Sequence, residues 1–351
     1  MIENLFFITG LGGFLFFLSI WGFKFLPKEK WQVLGTIPIA KTPDGNWSGL
    51  NLTYYGFFNG IAATIAVAIV LILLGAAYIP FSAGILFVLG ILVFAAPSAK
   101  IIARLVEKKP CTLSIGAASF VGIILAPWIA VGVQTLFARL QLPNIEIMVL
   151  MAAISTGYAF GEGIGRLSCI SFGCCYGKPV SQLPRYLQFI FRHANFVFLG
   201  KTKKIAYAHA LDEKEILPIQ GITSIIYFIS GLTGTFLFLQ GSFRASFLIT
   251  LATTQLWRIV SEFLRADFRG EGKLSVYQYM AILSVIYSVG ISLLFYDIPV
   301  LSTSISQGLS LMWNLPVILF LQALWLAVFI STGRSKVISA ELSFHVKMEN
   351  I

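Results

Sequence analysis

Two short runs carry the groups that could do chemistry. Arg258, Glu262 and Arg265 recur at i, i+4 and i+7, so on a helix they share one face. Asp267, Arg269, Glu271 and Lys273 follow closely. Arg258 and Glu262 fall inside an apolar stretch, where ionisable groups are costly and face a partner or a cavity. Two arginines with one or two carboxylates suit a phosphate, and a purely structural ion-pair network is the competing reading.

The second run is Gly161-Glu162-Gly163-Ile164-Gly165-Arg166-Leu167-Ser168-Cys169, continuing through Phe172-Gly173-Cys174-Cys175-Tyr176-Gly177. Small residues at 161, 163, 165, 168, 173 and 177 let backbones approach one another or a ligand. Glu162 and Arg166 lie one helical turn apart and can neutralise each other. Arg166 can equally present its planar donor fork to a phosphate or snorkel to the membrane edge.

Three of the four cysteines, Cys169, Cys174 and Cys175, fall in this run, with Cys111 upstream. Their spacing matches no paired C-x2-C pattern, so neither a metal nor a cofactor is expected. Small side chains for close helix packing are the plainer reading. An internal thiol nucleophile would lack a histidine base nearby in sequence.

The elements that must position these groups are membrane helices. Apolar residues make up 57% of the 351 and charged residues 11%, against roughly 45–50% and 25% in a soluble domain. Stretches near 20 residues with few charges occur at 5–23, 54–77, 81–98, 114–137, 146–164, 217–240, 244–263, 276–296 and 314–332. The first has no basic residue ahead of it and no small-residue cleavage site, so it reads as a retained helix. The expected fold is all-α, a polytopic membrane helix bundle of about nine spans.

Alternating the nine spans puts 23 of the 25 lysines and arginines at one end of the bundle, leaving Arg139 and Arg244 at the other. The positive-inside rule then makes the basic end cytoplasmic, and its surface attracts anionic headgroups. Tyr54-Tyr55-Gly56 and Leu217-Pro218-Ile219-Gln220 open spans at that same end. Region 180–215 is expected to lie on the headgroups as amphipathic pieces. No nucleotide or nucleic-acid motif occurs.

Together these residues resemble the prolipoprotein diacylglyceryl transferase family over roughly 54–296. The most specific likeness is Gly165-Arg166-Leu167 through Gly173 and Tyr176-Gly177. Arg258-Ile259-Val260-Ser261-Glu262-Phe263-Leu264-Arg265 is the second. Ser275 to Gln278, Tyr55-Gly56, and Pro218 with Gln220 also match.

The resemblance implies a membrane-embedded transferase that moves diacylglyceryl from an anionic phospholipid, phosphatidylglycerol, to the thiol of a prolipoprotein in a bacterial inner membrane. It implies catalytic roles for Arg166, Arg258 and Glu262, with Glu262 orienting Arg258. Tyr55, Gly165, Gly173, Gly177, Gln220 and Arg265 would bind substrate. The expected organisation is an extra helix and basic loop over 1–53, a transferase-like core over 54–296 with a polar insert near 177–216, and a helix and tail over 297–351.

The departures are specific. Val121 stands where the family has a histidine after Ser-Phe, here Ser119-Phe120. Cys169 replaces an asparagine and Cys174 an acidic residue. Leu217, Ile222, Thr223 and Thr254 replace further polar groups. The family's signature arginine faces outward, opposite to the charge rule. A transferase with another acceptor, and a non-enzymatic phospholipid-binding or transport protein, are the alternatives.

Overall fold

The computed structural model describes residues 2–107, 114–267, 274–295, 302–335 and 337–351. Cys111, Lys108, Lys109, Arg269, Glu271, Lys273 and Lys336 lie outside them. The described chain is a bundle of long helices, because in hydrocarbon each backbone donor and acceptor must find its partner within the segment. In order these are α1 (Ile2–Phe25), α2 (Tyr54–Ala76), α3 (Phe81–Glu107), α4 (Ile115–Arg139), α5 (Ile147–Phe172), α8 (Ile219–Leu239), α9 (Phe243–Leu264), α10 (Val276–Leu294) and α12 (Leu315–Gly333). Short helices α6 (Arg185–Phe191), α7 (Lys204–His209) and α11 (Ile305–Leu311) intervene.

Among the described residues, eight helices are long and apolar enough to cross a membrane. The protein is a multi-pass membrane protein. The ninth expected span, α9, forms as a helix of 22 residues, about 33 Å long. It is not among the eight because it carries Arg244, Arg258 and Glu262. It packs against α5, α8 and α10, so the bundle supplies partners for groups that lipid would not.

α5 is the central helix, with 83% of its most apolar stretch buried, whereas α1 and α12 bury 17% and 11%. α5 is also longer than its apolar stretch. The span expected to end at 164 continues to Phe172, where Gly173 takes the left-handed conformation (φ 66°). Cys174 N–H then donates to Cys169 O at 3.0 Å and Gly173 N–H to Ile170 O at 3.2 Å, the paired closure that only a left-handed residue permits. Arg166 is therefore carried inside the bundle, and the snorkelling reading is set aside.

Residues 24–53, expected as a plain basic loop, contain a hairpin. β1 (Val33–Lys41) pairs antiparallel with β2 (Trp47–Thr53), and β5 (Ala340–Leu342) adds to the other edge of β2. The turn Thr42-Pro43-Asp44-Gly45-Asn46 closes it, with Gly45 at φ 85°. In the insert, β3 (Phe196–Val197) and β4 (Glu215–Ile216) pair antiparallel. Phe198, Ile205 and Ile216 are buried there, so much of the insert packs back on the bundle. α6 alone presents a wide apolar face, with Tyr186, Phe189 and Ile190 exposed between Arg185 and Arg192.

Lys203 joins this insert to two helix ends. Its ammonium is fully buried and donates to Leu26 O at 3.0 Å and Ser171 O at 2.6 Å. Gln32 Nε2 donates to the same Ser171 carbonyl at 2.8 Å, so a carbonyl that α5 leaves without an intrahelical partner receives two side chains. Burial pushes the Lys203 pKa down from 10.5 to about 8. Between those values the unfolded chain holds a proton that the folded chain has released, so stability rises with pH across that interval. Thermal unfolding in detergent from pH 8 to 10.5 is expected to show the wild type gaining on Lys203→Met, by on the order of 3 kcal/mol. A gap that does not change with pH would show that the two carbonyls keep the ammonium charged.

Candidate functional site

Helix ends converge at the basic end of the bundle. α5 contributes Tyr158, Glu162, Arg166 and Cys169 at near-helical spacing on one face. α9 contributes Arg258 and Glu262, while α2, α4, α8 and α10 contribute Tyr55, Ser114, Gln220 and Tyr277. The centre is a three-residue ionic group. Glu162 Oε2 accepts from Arg166 Nη2 at 2.6 Å and Glu162 Oε1 from Arg258 Nη2 at 2.7 Å. Tyr158 Oη accepts from Arg258 Nη2 at 2.9 Å and from Gln255 Nε2 at 3.2 Å. A Cβ at Gly116 of α4 would lie 2.5 Å from Arg258 Nη1, so the guanidinium packs directly against that helix.

This group carries one negative and two positive charges, a net +1 in a largely buried setting. The Arg166, Arg258 and Glu162 side chains are 15%, 11% and 4% exposed. Among the described residues, Nε of both arginines is buried and has no hydrogen-bond partner. A buried donor without an acceptor costs about 1–3 kcal/mol, and these two Nε atoms lack an acceptor, while the neighbouring group of Arg265, Glu262 and Asp267 carries the opposite net charge of −1.

Glu262, expected to orient Arg258, faces another arginine. Its Oε1 lies 3.6 Å from Arg265 Nη1, and Asp267 accepts from Arg265 Nε and Nη2 at 2.8 and 2.7 Å. The reason is where α9 ends. Arg265 has left the helix (φ −85°, ψ 152°) and bridges Gly177, so the i+7 continuation of the face fails at its last member. Against the penalty of burial, Asp267 in particular holds the Arg265 pKa well above its usual range. Arg265 nevertheless lines the same chamber as Arg166 and Arg258.

The remaining expected residues take varied positions. Gly177 sits where a Cβ would meet Leu217 O at 2.5 Å, which draws the 173–178 turn against the start of α8. Gln220 donates from Nε2 to Cys174 O at 2.9 Å, buried beneath the turn. Tyr55 lies on the chamber wall, its ring 5.4 Å from that of Phe172. Gly165 faces Ala62 with its Cβ position 3.8 Å away, ordinary contact that a methyl group would tolerate. Sequence reading left Glu162 outside the expected site residues and missed Tyr158. The signal for both was the i, i+4, i+8 series that ends on Arg166.

The three cysteines also meet. The Sγ atoms of Cys169, Cys174 and Cys175 all lie within 4.8 Å of one another, and Cys169 and Cys175 are 3.9 Å apart. Hydrogen bonding among these thiols, followed by burial, pushes the Cys174 pKa well above its ordinary value. The linear spacing conceals this meeting because the left-handed Gly173 and Cys175 (φ 57°) fold the chain back on the last turn of α5.

Two cavities share this site. A small one of about 60 Å³ is lined by Arg166, Arg258, Arg265, Glu262, Gln220, Cys169 and Cys175 among others. A larger one of about 720 Å³ runs between α2, α3, α4 and α5, walled mainly by alanine, valine, isoleucine and leucine. Tyr55, Ile115, Arg166 and Cys169 line both, so a polar chamber opens into an apolar one at Arg166. The first turns of α4 carry Ser119 to the larger cavity wall, but Val121 is not on it.

Over 174 residues the chain is 25% identical to a phosphatidylglycerol–prolipoprotein diacylglyceryl transferase of Clostridium tetani. The aligned part is 48% of this chain and spans 62% of that relative's length. No family model and no solved structure matches the chain.

Proposed function

We propose that this membrane protein is a diacylglyceryl-transferase-like enzyme that takes an anionic glycerophospholipid, phosphatidylglycerol first, and transfers its diacylglyceryl group to an acceptor thiol such as that of a prolipoprotein. The observation that carries the reading is the pair of largely buried guanidiniums, Arg166 and Arg258, that share Glu162 and keep buried, unpartnered Nε donors. A phosphodiester bears several acceptor oxygens, which those donors lack, and a negative charge that planar guanidiniums match. Its acyl chains would lie in the adjoining apolar cavity, beginning where Arg166 forms part of both walls.

The geometry favours the transition state over the bound lipid. As the acceptor sulfur attacks the terminal glycerol carbon, the bond from that carbon to the phosphate oxygen breaks. Its electron pair stays on oxygen, and glycerol phosphate leaves with more negative charge than the diester carried. Fixed guanidiniums in a low-dielectric chamber stabilise that increase without reorganising. Glu162 and Tyr158 hold Arg258 in place, while Arg265, fixed by Asp267 and Glu262, flanks the exit. The site lies at the basic end of the bundle; on the cytoplasmic side, where the charge rule puts that end, the acceptor would be a thiol other than an exported prolipoprotein's, and the family's outward orientation would restore the prolipoprotein.

A lipid-binding protein without turnover is the second reading. Val121 favours it, standing where the resemblance expects a histidine. Lipid extracted from the detergent-purified chain should be enriched in an anionic phospholipid by mass spectrometry. Incubation with phosphatidylglycerol and a cysteine-bearing peptide should then release glycerol phosphate. Enrichment without release would select the second reading, and absence of anionic lipid would overturn both.

A further inference from the structure

We propose that Cys169, Cys174 and Cys175 form a three-thiolate site for a borderline-soft divalent cation, zinc foremost, whose fourth position receives the acceptor thiol. Three sulfurs around one tetrahedral ion at a metal–sulfur distance of about 2.3 Å lie roughly 3.8 Å apart. Cys169 and Cys175 are 3.9 Å apart, and all three sulfurs lie within 4.8 Å of one another. Small side-chain adjustment would close such a set.

The backbone is built to hold this arrangement. Cys169 is fixed on the last turns of α5, and the carbonyl of Cys174 is tied by Gln220. Cys175 occupies a left-handed conformation (φ 57°), which costs a non-glycine residue roughly 1–2 kcal/mol. Close helix packing alone would be served by glycine at that position. Arg166 and Arg265 line the same chamber as Cys169 and Cys175. Guanidiniums are suitable neighbours for a site of three thiolates and one divalent ion, whose net charge is −1.

The site also supplies a way to deprotonate the acceptor without a histidine. None of the histidines lines either cavity, and His209 is exposed and engaged with Tyr176. A thiol that coordinates a divalent ion loses its proton outright, so coordination replaces a general base. The acceptor releases its proton to water on binding. Its sulfur lone pair then forms the S–C bond as the C–O bond to phosphate breaks, and glycerol phosphate departs past Arg166 and Arg258. No electron is gained or lost overall. Catalytic zinc sites keep such an open fourth position, and Cys169 and Cys175 place it on the chamber that holds the arginines. The metal site stands on its own geometry, and the acceptor's role rests on the transfer reading.

The test is anaerobic titration of the reduced, full-length, detergent-purified chain with cobalt(II). One bound ion per chain is expected, with a sulfur-to-cobalt charge-transfer band and the visible bands of a tetrahedral centre. Cys169→Ser and Cys175→Ser should each lose the charge-transfer band while keeping the wild-type gel-filtration profile. Arg166→Lys should keep the band and serves as a check that damage to the chamber alone does not remove it. A cysteine-bearing peptide should shift the visible bands, and its serine counterpart should not. Absence of the band while all three thiols react with a thiol reagent would overturn the site, as would a Cys169–Cys175 disulfide in freshly purified protein. Bands indifferent to the peptide would overturn the acceptor's role. Intact, peptide-sensitive bands without phospholipid turnover would sink the transfer reading alone.

Discussion

Arg258→Lys, and likewise Arg166→Lys, is expected to lower transfer by about 100-fold or more, the scale of losing one oriented donor to a developing oxyanion. Charge is kept in both variants, so simple attraction of an anion would survive them. What disappears is the planar fork, which lets one guanidinium hold Glu162 through Nη2 while offering Nε to a second oxygen. An ammonium on a shorter stem cannot reach both. Glycerol phosphate release should therefore fall far more than lipid co-purification, because the diester is bound before the extra charge develops. Yield and thermal midpoint in detergent should change little, since the pair with Glu162 can re-form. Wild-type turnover in both lysine variants would leave the arginines as structural charges.

Glu162→Gln is expected to be the most destabilising single change at the site. It removes the one carboxylate shared by two guanidiniums that are 15% and 11% exposed. Leaving buried charge without its partner costs on the order of 3–5 kcal/mol. The shape is retained, so the loss measures charge rather than packing. The proposed ligand gives this variant a distinctive response. Phosphatidylglycerol added to the detergent should restore part of the lost thermal midpoint, because its phosphate would serve as counterion. Phosphatidylcholine, which carries its own ammonium, should restore less. An unchanged midpoint in Glu162→Gln would mean that water reaches the group and that the chamber is not the dry site inferred from its burial.

Much of the fold was legible because lipid leaves the backbone few options. The apolar stretches called for helices, and helices formed at all nine places. The ends were less legible. Composition ended α5 at 164, where polar residues begin, but the helix continues to Phe172 because other helices, rather than lipid, surround its last turns. The same burial that hid the helix end changed the charge pairing. Glu262 and Arg258 are neighbours on a helix face, yet Glu162, 96 positions away in the chain, holds Arg258. No spacing rule reaches across helices. The cysteine cluster was hidden for a third reason, two left-handed residues that reverse the chain. The hairpin, by contrast, was signalled by Pro43-Asp44-Gly45-Asn46 between β-prone segments, a local pattern outweighed by the density of charge around it.

The pairing of β2 with β5 sets an order on biogenesis. Trp47 to Gly49 emerge from the ribosome before most of the membrane helices, yet their partners, Ala340 to Leu342, are translated after α12. The contacts beside them have the same reach: Thr53 donates to Gly333 O, Asn51 to Ile338 O, and Ser335 N–H to Asn51 O. Throughout insertion one edge of β2 therefore waits with unpaired backbone groups, the kind of edge that recruits foreign strands. Completion of the sheet reports that the final helix has returned its end to the correct side of the membrane. A nascent chain stalled before that point would display the open edge to quality-control proteases, while a finished one would conceal it.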